Sequence, residues 1–523
     1  MKLYELLENL SDYKVYGKKD LAVNSITEDS RQVKKGSLFV AVKGLTVDGH
    51  KFIPQAIEHG AKVIVGELDK GKIRIPKGVT YVKVENSRKA LGFIASSFYG
   101  NPSSKLKVIG VTGTDGKTTT STLIYYLLET AGRKAGLVSS VSAMVGNKEI
   151  DTGFHVTNPD PVSLHGFLAE MAKKNCEFAV VEVTSHGIDQ ERVSGVSFDS
   201  AVLTNITHEH LDYHKTFESY RDAKAKLFQS ANNFVVLNRD DESFGYINSI
   251  IPNNIKRMSY GIKDRSVDLY GQNIHEENDK TVFEIINGVN SFTMQSKLPG
   301  EYNVANTLAA IATTLMYGVS VDLVKKALLS FKAPKGRLEK IENKKGIEIY
   351  IDFAHTPNSL ENVLKLLRKR LEQKDSEGKL IAVFGCASER DVKKRPMMGE
   401  ISTRIADFSI FTAEDPRSEK VEKIINQMVK GAKKSQAKEI SIKRYHDSNH
   451  GNNKHLYVRI QERGEAISFA IQKLAKKGDI VVVCGKGHEK SMAYNGVEYE
   501  WSDQEAVEVA LKGKVKEIIR SGL

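Results

Sequence analysis

Val108-Ile-Gly-Val-Thr-Gly-Thr-Asp-Gly-Lys-Thr-Thr-Thr120 decides the fold. A short apolar run enters Gly113, the chain passes through Gly116-Lys117-Thr118, and a helix-like segment follows at 123–128. Strand, glycine loop and helix in that order make a phosphate cradle. Glycines let successive backbone N–H groups turn toward an anion, and the helix N-terminus adds its positive end. The common form of this motif has four residues between its first glycine and Gly-Lys. Here two residues separate Gly113 from Gly116, a variant with the same chemistry. Lys117 is placed to reach terminal phosphates, and the Thr118 hydroxyl to ligate Mg²⁺. A Gly-rich turn entering a helix with a surface lysine is the bland alternative, and the ordered strand, loop, Lys-Thr and helix argue against it.

The 523 residues predict about three domains. With 40% apolar residues the chain can bury several cores. Its net charge of +12, spread along the chain, suits anionic small substrates. No RNP-like or zinc-finger pattern accompanies it, so no nucleic-acid partner is expected. Cys176, Cys386 and Cys484 form no CxxC and no framework, which points to a reducing compartment. Residues 1–18 carry no signal-type apolar region, and no apolar run reaches the ~18 residues a membrane span needs. No membrane insertion is expected.

Residues 1–104 read as a small α/β domain, with strands near 37–42 and 61–65 around a helix at 52–59. Residues 105–333 read as the nucleotide domain. Its buried strand 178–183 carries Glu182 near its end, where a phosphate loop wants a carboxylate for Mg²⁺ or where a turn wants a cap. The cluster His208-Glu-His-Leu-Asp-Tyr-His214 suggests a metal. It matches no zinc spacing, and the neighbouring phosphate loop favours Mg²⁺. Tyr220 and Lys224 share a helix face with Leu227 and Phe228, which by itself makes Lys224 a snorkelling surface lysine. Asn303 and Asn306 stand at the start of an Ala-rich helix, as caps or ligand groups. Residues 334–523 read as a third, Rossmann-like domain whose strands end in polar loops, the doubly wound arrangement. The Asn/His-rich stretch 444–454 reads as a loop.

Taken together, several stretches resemble the Mur ligase family, most closely the branch that extends UDP-N-acetylmuramoyl-L-alanyl-D-glutamate. They are Asp29-Ser-Arg31, Gly113-Thr-Asp-Gly-Lys-Thr-Thr119, Glu182-Val-Thr-Ser-His-Gly187, 204–214, Tyr220-Arg-Asp-Ala-Lys224, Asp352-Phe-Ala-His-Thr-Pro357, Lys394-Arg-Pro396 and Gly485-Lys-Gly-His-Glu489. The resemblance covers nearly the whole chain. It implies a three-domain α/β fold: an N-terminal substrate domain, a central ATPase domain with a mainly parallel sheet and a C-terminal amino-acid-binding domain. It implies ATP-dependent amide formation through an acyl phosphate, in the bacterial cytoplasm, by a monomer using UDP-N-acetylmuramoyl-L-Ala-D-Glu and a free amino acid.

By the same resemblance, Glu28, Ser30, Leu45, Thr46 and Val47 would hold the uridine diphosphate. Gly113, Thr114, Asp115, Gly116, Lys117, Thr118 and Thr119 would hold ATP, with Asn303, Asn306, Arg337 and Asp352 near the nucleotide. Thr157, Asn158, Ser185, Gln190 and Arg192 would hold the peptidyl sugar. Thr118, Glu182, His210 and Lys224 would serve Mg²⁺, Lys224 as a CO₂-derived carbamate, and Lys117 would complete the catalytic set. Arg390, Glu414, Asp415, Pro416, Arg417, Gly485 and Glu489 would bind the incoming amino acid.

Several positions depart from the family pattern: Asp115 where asparagine is usual, His208-Glu209 before the histidine ligand, Glu414-Asp-Pro-Arg417 where Asp-Asn-Pro-Arg is usual in diaminopimelate-adding members, and the Asn/His-rich stretch 444–454. Asp115 places negative charge near the phosphates unless it is paired. Arg417 suits the distal carboxylate of meso-diaminopimelate, and Glu489 its ammonium. Asp415 pulls toward L-lysine, and a pairing of Arg417 with Glu414 or Glu419 would remove it from recognition altogether. Meso-diaminopimelate is the expected substrate, with L-lysine the alternative. A folylpolyglutamate or cyanophycin synthetase is disfavoured by Asp29-Ser-Arg31 and Asp48-Gly-His50. A non-catalytic nucleotide-binding scaffold is disfavoured by Lys117, Glu182, His210 and Lys224.

Overall fold

Three sheets form the frame of the computed structural model, which describes residues 1–44, 47–150, 157–278, 280–374, 377–441 and 455–513. Leu45, Thr46 and the stretch 444–454 lie outside the described residues. The first sheet orders its strands Lys14–Tyr16, Thr80–Lys83, Val63–Gly66, Ser37–Val40 and Ser25–Thr27. All neighbours are parallel except the first pair. Ser37–Val40 is buried at every position, as a strand covered on both faces must be. Helix Ser87–Phe98 packs on Leu38 and Val40, and helix Ile53–Glu58 on Phe39 and Ile64, so successive residues face opposite helices.

The central sheet has eleven strands. Its parallel core runs Ala135–Val138, Phe178–Glu182, Lys107–Thr112, Phe198–Leu203, Ala231–Asn238 and Lys256–Gly261 in space. From Lys107–Thr112 the chain goes first to one side of the sheet and later to the other. Crevices at the carboxyl ends of such strands are where α/β sheets bind ligands, and Gly113 begins there. Helices Lys117–Thr130 and Glu301–Met316 cover one face; Pro161–Lys173 and Phe217–Gln229 cover the other. The alternating strands Leu269–Glu277, Lys280–Asn287 and Asn290–Ser296 add a meander at one edge, its last two joins antiparallel. The sequence reading missed this meander.

The third sheet orders Glu339–Ile341, Glu348–Asp352, Ile480–Cys484, Leu380–Phe384, Phe408–Phe411, Leu456–Arg459 and Lys438–Glu439, all parallel after the first pair. Helix Pro357–Gln373 opens with Pro at its first turn and a reciprocal cap between Thr356 and Ser359, which fixes its N-terminus. A hairpin of Ser491–Tyr494 and Val497–Glu500 packs beside the loop that carries Arg417. No helix among the described residues is long and apolar enough to cross a membrane.

Candidate active site

The carboxyl ends of the central and C-terminal sheets line one cavity of about 960 Å³. At its central-domain end, Gly116 adopts a left-handed φ of 81° and caps helix Lys117–Thr130. A Cβ there would fall 2.2 Å from Asn306 Oδ1, and a Cβ at Gly113 would fall 1.8 Å from Thr204 Oγ1. The loop therefore needs glycine twice, and Asn306 is packed directly against it. Asn303 and Asn306 lie inside helix Glu301–Met316, past its cap, and are linked by a 3.3 Å hydrogen bond.

Lys117 Nζ donates to Thr114 O at 2.8 Å and, among the described residues, makes no salt bridge. Burial holds its pKa below the ordinary lysine range. Thr118 Oγ1 donates to Glu182 at 3.1 and 3.2 Å and accepts from Arg337 at 3.0 Å. Glu182 also accepts from Ser140 N at 2.9 Å and Ser140 Oγ at 3.0 Å. Ser140 was not singled out in the sequence, because the loop after strand Ala135–Val138 carries no motif. Thr119 completes the cavity wall at this end.

His210 sits at a left-handed φ of 57°, with its buried Nδ1 lacking a hydrogen-bond partner among the described residues. Burial, then His186 and Lys224, push its pKa well below the usual value, so the ring is neutral and able to donate a lone pair. Among the described residues no three His, Cys, Asp or Glu side chains converge on a metal position. Mg²⁺ asks less of the protein, one or two carboxylates with phosphate oxygens and water. Glu182, Thr118 and the orphan His210 nitrogen fit that demand.

Lys224 does not line the cavity and does not snorkel. It is fully buried beneath the phosphate loop, donating to Gly113 O at 2.6 Å and standing 4.7 Å from the Tyr220 ring centroid. Burial, then Lys117, push its pKa well below the lysine range. The free amine that results is the form that adds CO₂, so the residue fits a carbamate. Tyr220 is fixed through its hydroxyl to Thr114 Oγ1 at 2.9 Å.

The two departures near the phosphate loop both reach across to the C-terminal domain. Asp115 accepts from Thr356 Oγ1 at 3.1 Å and Asn358 Nδ2 at 2.8 Å. His208 Nε2 lies 2.8 Å from Asp391 Oδ2, and buried Lys394 donates to Glu209 at 3.1 Å. Asp115 is thus hydrogen-bonded by neutral groups of the C-terminal domain and keeps its charge, and 208–209 forms part of the contact between domains. Asp352 accepts from Leu338 N at 2.6 Å and Ala354 N at 2.7 Å, with burial raising it to about 6 against the pull of Arg337.

On the sugar side, Thr157, Gln190 and Arg192 line the cavity. Asn158 does not: its side chain accepts from Thr184 and donates to Glu182 O at 2.7 Å, locking the loop after the strand. Ser185 Oγ is buried without a partner among the described residues. Glu28, Ser30 and Val47 stand apart from the cavity in the N-terminal domain. Burial, then Asp160, raise the Glu28 pKa, with Arg192 opposing, so Glu28 faces the central domain. Ser30 donates to Gln55 at 2.8 Å, and Val47 is exposed.

At the far end, Arg390, Glu414, Asp415, Arg417 and Glu489 line the cavity. Pro416 and Gly485 flank them without lining it. Arg417 pairs with neither Glu414 nor Glu419. Its Nε donates to Asp415 Oδ2 at 3.1 Å and its Nη1 stands 3.8 Å from Glu389, while Glu419 is taken by buried Arg395 at 2.7 Å. The other Asp415 oxygen accepts from Ala493 N at 2.7 Å. Lys486, fully buried, stands 2.5 Å from Glu489 and 3.9 Å from Asp415.

Residues 22–99 match the description "Mur ligase family, catalytic domain", 111–314 "Mur ligase middle domain" and 336–487 "Mur ligase, glutamate ligase domain". The chain is 35% identical over 516 residues to the UDP-N-acetylmuramoyl-L-alanyl-D-glutamate--2,6-diaminopimelate ligase of Clostridium botulinum, covering 98% of this chain and 100% of that one. It is 38% identical over 493 residues to the like-named protein of Clostridium tetani, covering 94% and 95%. A solved structure of a ligase of that name superposes with a TM-score of 0.64 at 27% identity, covering 98% of this chain and 99% of the other.

Proposed function

The chain belongs to the Mur ligase family, and from that premise we propose that it joins meso-diaminopimelate to UDP-N-acetylmuramoyl-L-Ala-D-Glu at the expense of ATP, in the cytoplasm of a bacterium. The observation that carries this reading is the single cavity with Lys117 and Thr118 at one end and Arg390 and Arg417 at the other. A phosphate donor and an amino-acid acceptor can meet in it.

Residues 1–104 bind the UDP end, 105–333 the ATP and 334–523 the amino acid. The loop from Gly113 to Thr119 presents backbone N–H groups and Lys117 to the terminal phosphates of ATP. Thr118, Glu182 and His210 hold Mg²⁺, which when bound offsets phosphate charge. Lys224, carbamylated, supplies a further anionic oxygen group beside the loop. Arg192 and Gln190 orient the dipeptide so that its terminal carboxylate attacks the γ-phosphorus. Lys117 stabilises the charge that develops on the transferred group. The acyl phosphate that forms must be kept from water, and the contacts of Asp115, His208 and Glu209 with the C-terminal domain close the cavity around it.

Meso-diaminopimelate is lysine with a second carboxylate beside its far amine. Arg417 meets that carboxylate, Arg390 the other, and Glu489 the distal ammonium. Asp415 does not repel it as a free anion, because both its oxygens are committed, one to Arg417 and one to Ala493 N. The test is a panel of amino acids offered with ATP and UDP-N-acetylmuramoyl-L-Ala-D-Glu, scored by product mass. The diaminopimelate adduct is expected to dominate, and a dominant lysine adduct would overturn the choice of amino acid while leaving the ligase intact.

A further inference from the structure

The amine that attacks an acyl phosphate must be a free base, yet an amino acid arrives as an ammonium ion. We propose that Glu414 is the general base that removes this proton, a role that rests on the ligase reading above. Several carboxylates around the cavity are engaged, although Glu209 Oε2 and Asp212 Oδ1 at its central-domain end also lack a hydrogen-bond partner among the described residues. Glu182 accepts from Thr118 and Ser140, Asp115 from Thr356 and Asn358, and Asp415 from Arg417 and Ala493 N. Glu209 is ion-paired with Lys394, and Glu489 with Lys486.

At the amino-acid end, Glu414 is the carboxylate for which no such tie is found among the described residues. It follows strand Phe408–Phe411, lines the cavity, is 6% exposed, and its buried Oε2 has no hydrogen-bond partner among the described residues. Room for it is made by Gly485, whose φ is 111° and where a Cβ would lie 3.2 Å from that oxygen. The charged groups facing it come from three elements. Lys394 begins the helix after 391 and also holds Glu209, the residue before His210. Lys486 and Glu489 come from the loop after strand Ile480–Cys484. Arg463 lies behind, held by Asp503 at 2.6 and 2.7 Å. The thiols Cys386 and Cys484 are buried nearby. Burial raises the Glu414 carboxyl to about 7, against the pull of Lys394 and Lys486. A carboxylate of that basicity can accept a proton at neutral pH and release it again.

The step balances as follows. One N–H proton of the ammonium passes to the Glu414 carboxylate, and the freed lone pair forms the C–N bond with the acyl carbon. The C–O bond to phosphate breaks, the second N–H proton leaves with the phosphate, and Glu414 returns its proton to solvent.

The test uses the full chain, ATP and the UDP-muramoyl dipeptide, with Glu414→Gln and two acceptors. One acceptor is diaminopimelate. The other is hydroxylamine, which is already neutral near pH 7 and captures the acyl phosphate as a hydroxamate. With diaminopimelate, kcat is expected to fall by about 100-fold or more. The wild type is expected to lose rate as pH falls through 7, and that acid limb should be absent from the variant. Hydroxamate formation should stay close to the wild-type rate. The proposal is overturned if the variant ligates diaminopimelate normally with an unchanged acid limb. It is equally overturned if hydroxamate formation falls in parallel with ligation, since Glu414 would then support the site rather than take the proton. A wild type that ligates no amino acid to the dipeptide would instead sink the ligase reading itself.

Discussion

The two ends of the cavity hold their charges in opposite ways. At the nucleotide end, Lys117 is tied, among the described residues, only to a carbonyl. At the amino-acid end, Arg417 and Lys486 already stand against Asp415 and Glu489. The first end is one continuous loop whose geometry follows from two glycines and a helix start. The second is assembled from the ends of separate strands, and its selectivity lies in how the charged pairs are aimed. An unpaired cation gives strong binding to any phosphate. A paired one gives a directed fork that accepts one shape of partner.

The largest expected effect tests the unpaired end. Lys117→Ala should abolish measurable phosphate release while the far-UV circular dichroism stays that of the wild type. Loss of a preorganised contact to developing charge costs about 3 kcal/mol or more, roughly 150-fold in rate. Near-normal turnover by a folded variant would remove this loop from the mechanism.

Lys224 tests whether that end also depends on a buried amine. Lys224→Ala should lose most activity, and an added short carboxylic acid is expected to restore part of it by filling the vacated position. Crystal density is the decisive measurement, since the modification is labile: a bare amine in the active enzyme would reject the carbamate.

The same contrast explains what could be read from the sequence. The phosphate loop, the strand that enters it and the place of Glu182 near a strand end were legible because they depend on residues close in sequence. Lys224 was not: its helix face reads as surface, and only the covering loop makes it buried. Ser140 carries no local signal, and its place against Glu182 is set by strand pairing. At the amino-acid end, Arg417 was visible as a residue, but its partner was not. The choice among Glu414, Glu419 and Asp415 is made by Arg395, which takes Glu419, and by the hairpin that turns Asp415 toward Ala493. Asp115 looked like a charge beside phosphates, and its partners lie more than two hundred residues away in the C-terminal domain.

Arg417→Ala sharpens the comparison at the paired end. Removing one charge-assisted contact to the distal carboxylate costs about 1.5–3 kcal/mol, so KM for diaminopimelate should rise roughly 10- to 150-fold. Use of lysine, which lacks that carboxylate, should be unchanged or better. Equal losses for both amino acids, measured as kcat/KM, would mean that Arg417 serves the loop and not the substrate.

The smallest expected effect belongs to Asp415→Asn, and it separates the two meanings of that carboxylate. Asp415 accepts from Arg417 Nε and from Ala493 N, one bond to each oxygen. Asparagine has a single acceptor oxygen, and its amide nitrogen would meet a donor on whichever side it faced. One of the two bonds is therefore lost and Arg417 is aimed less well. A single hydrogen bond is worth about 1 kcal/mol, so KM for diaminopimelate should rise about fivefold. If Asp415 instead acts as a negative charge set against the distal carboxylate, the same substitution relieves repulsion and KM falls. The direction of this modest change, measured beside lysine in the same assay, decides whether the paired end selects its substrate by orientation or by net charge.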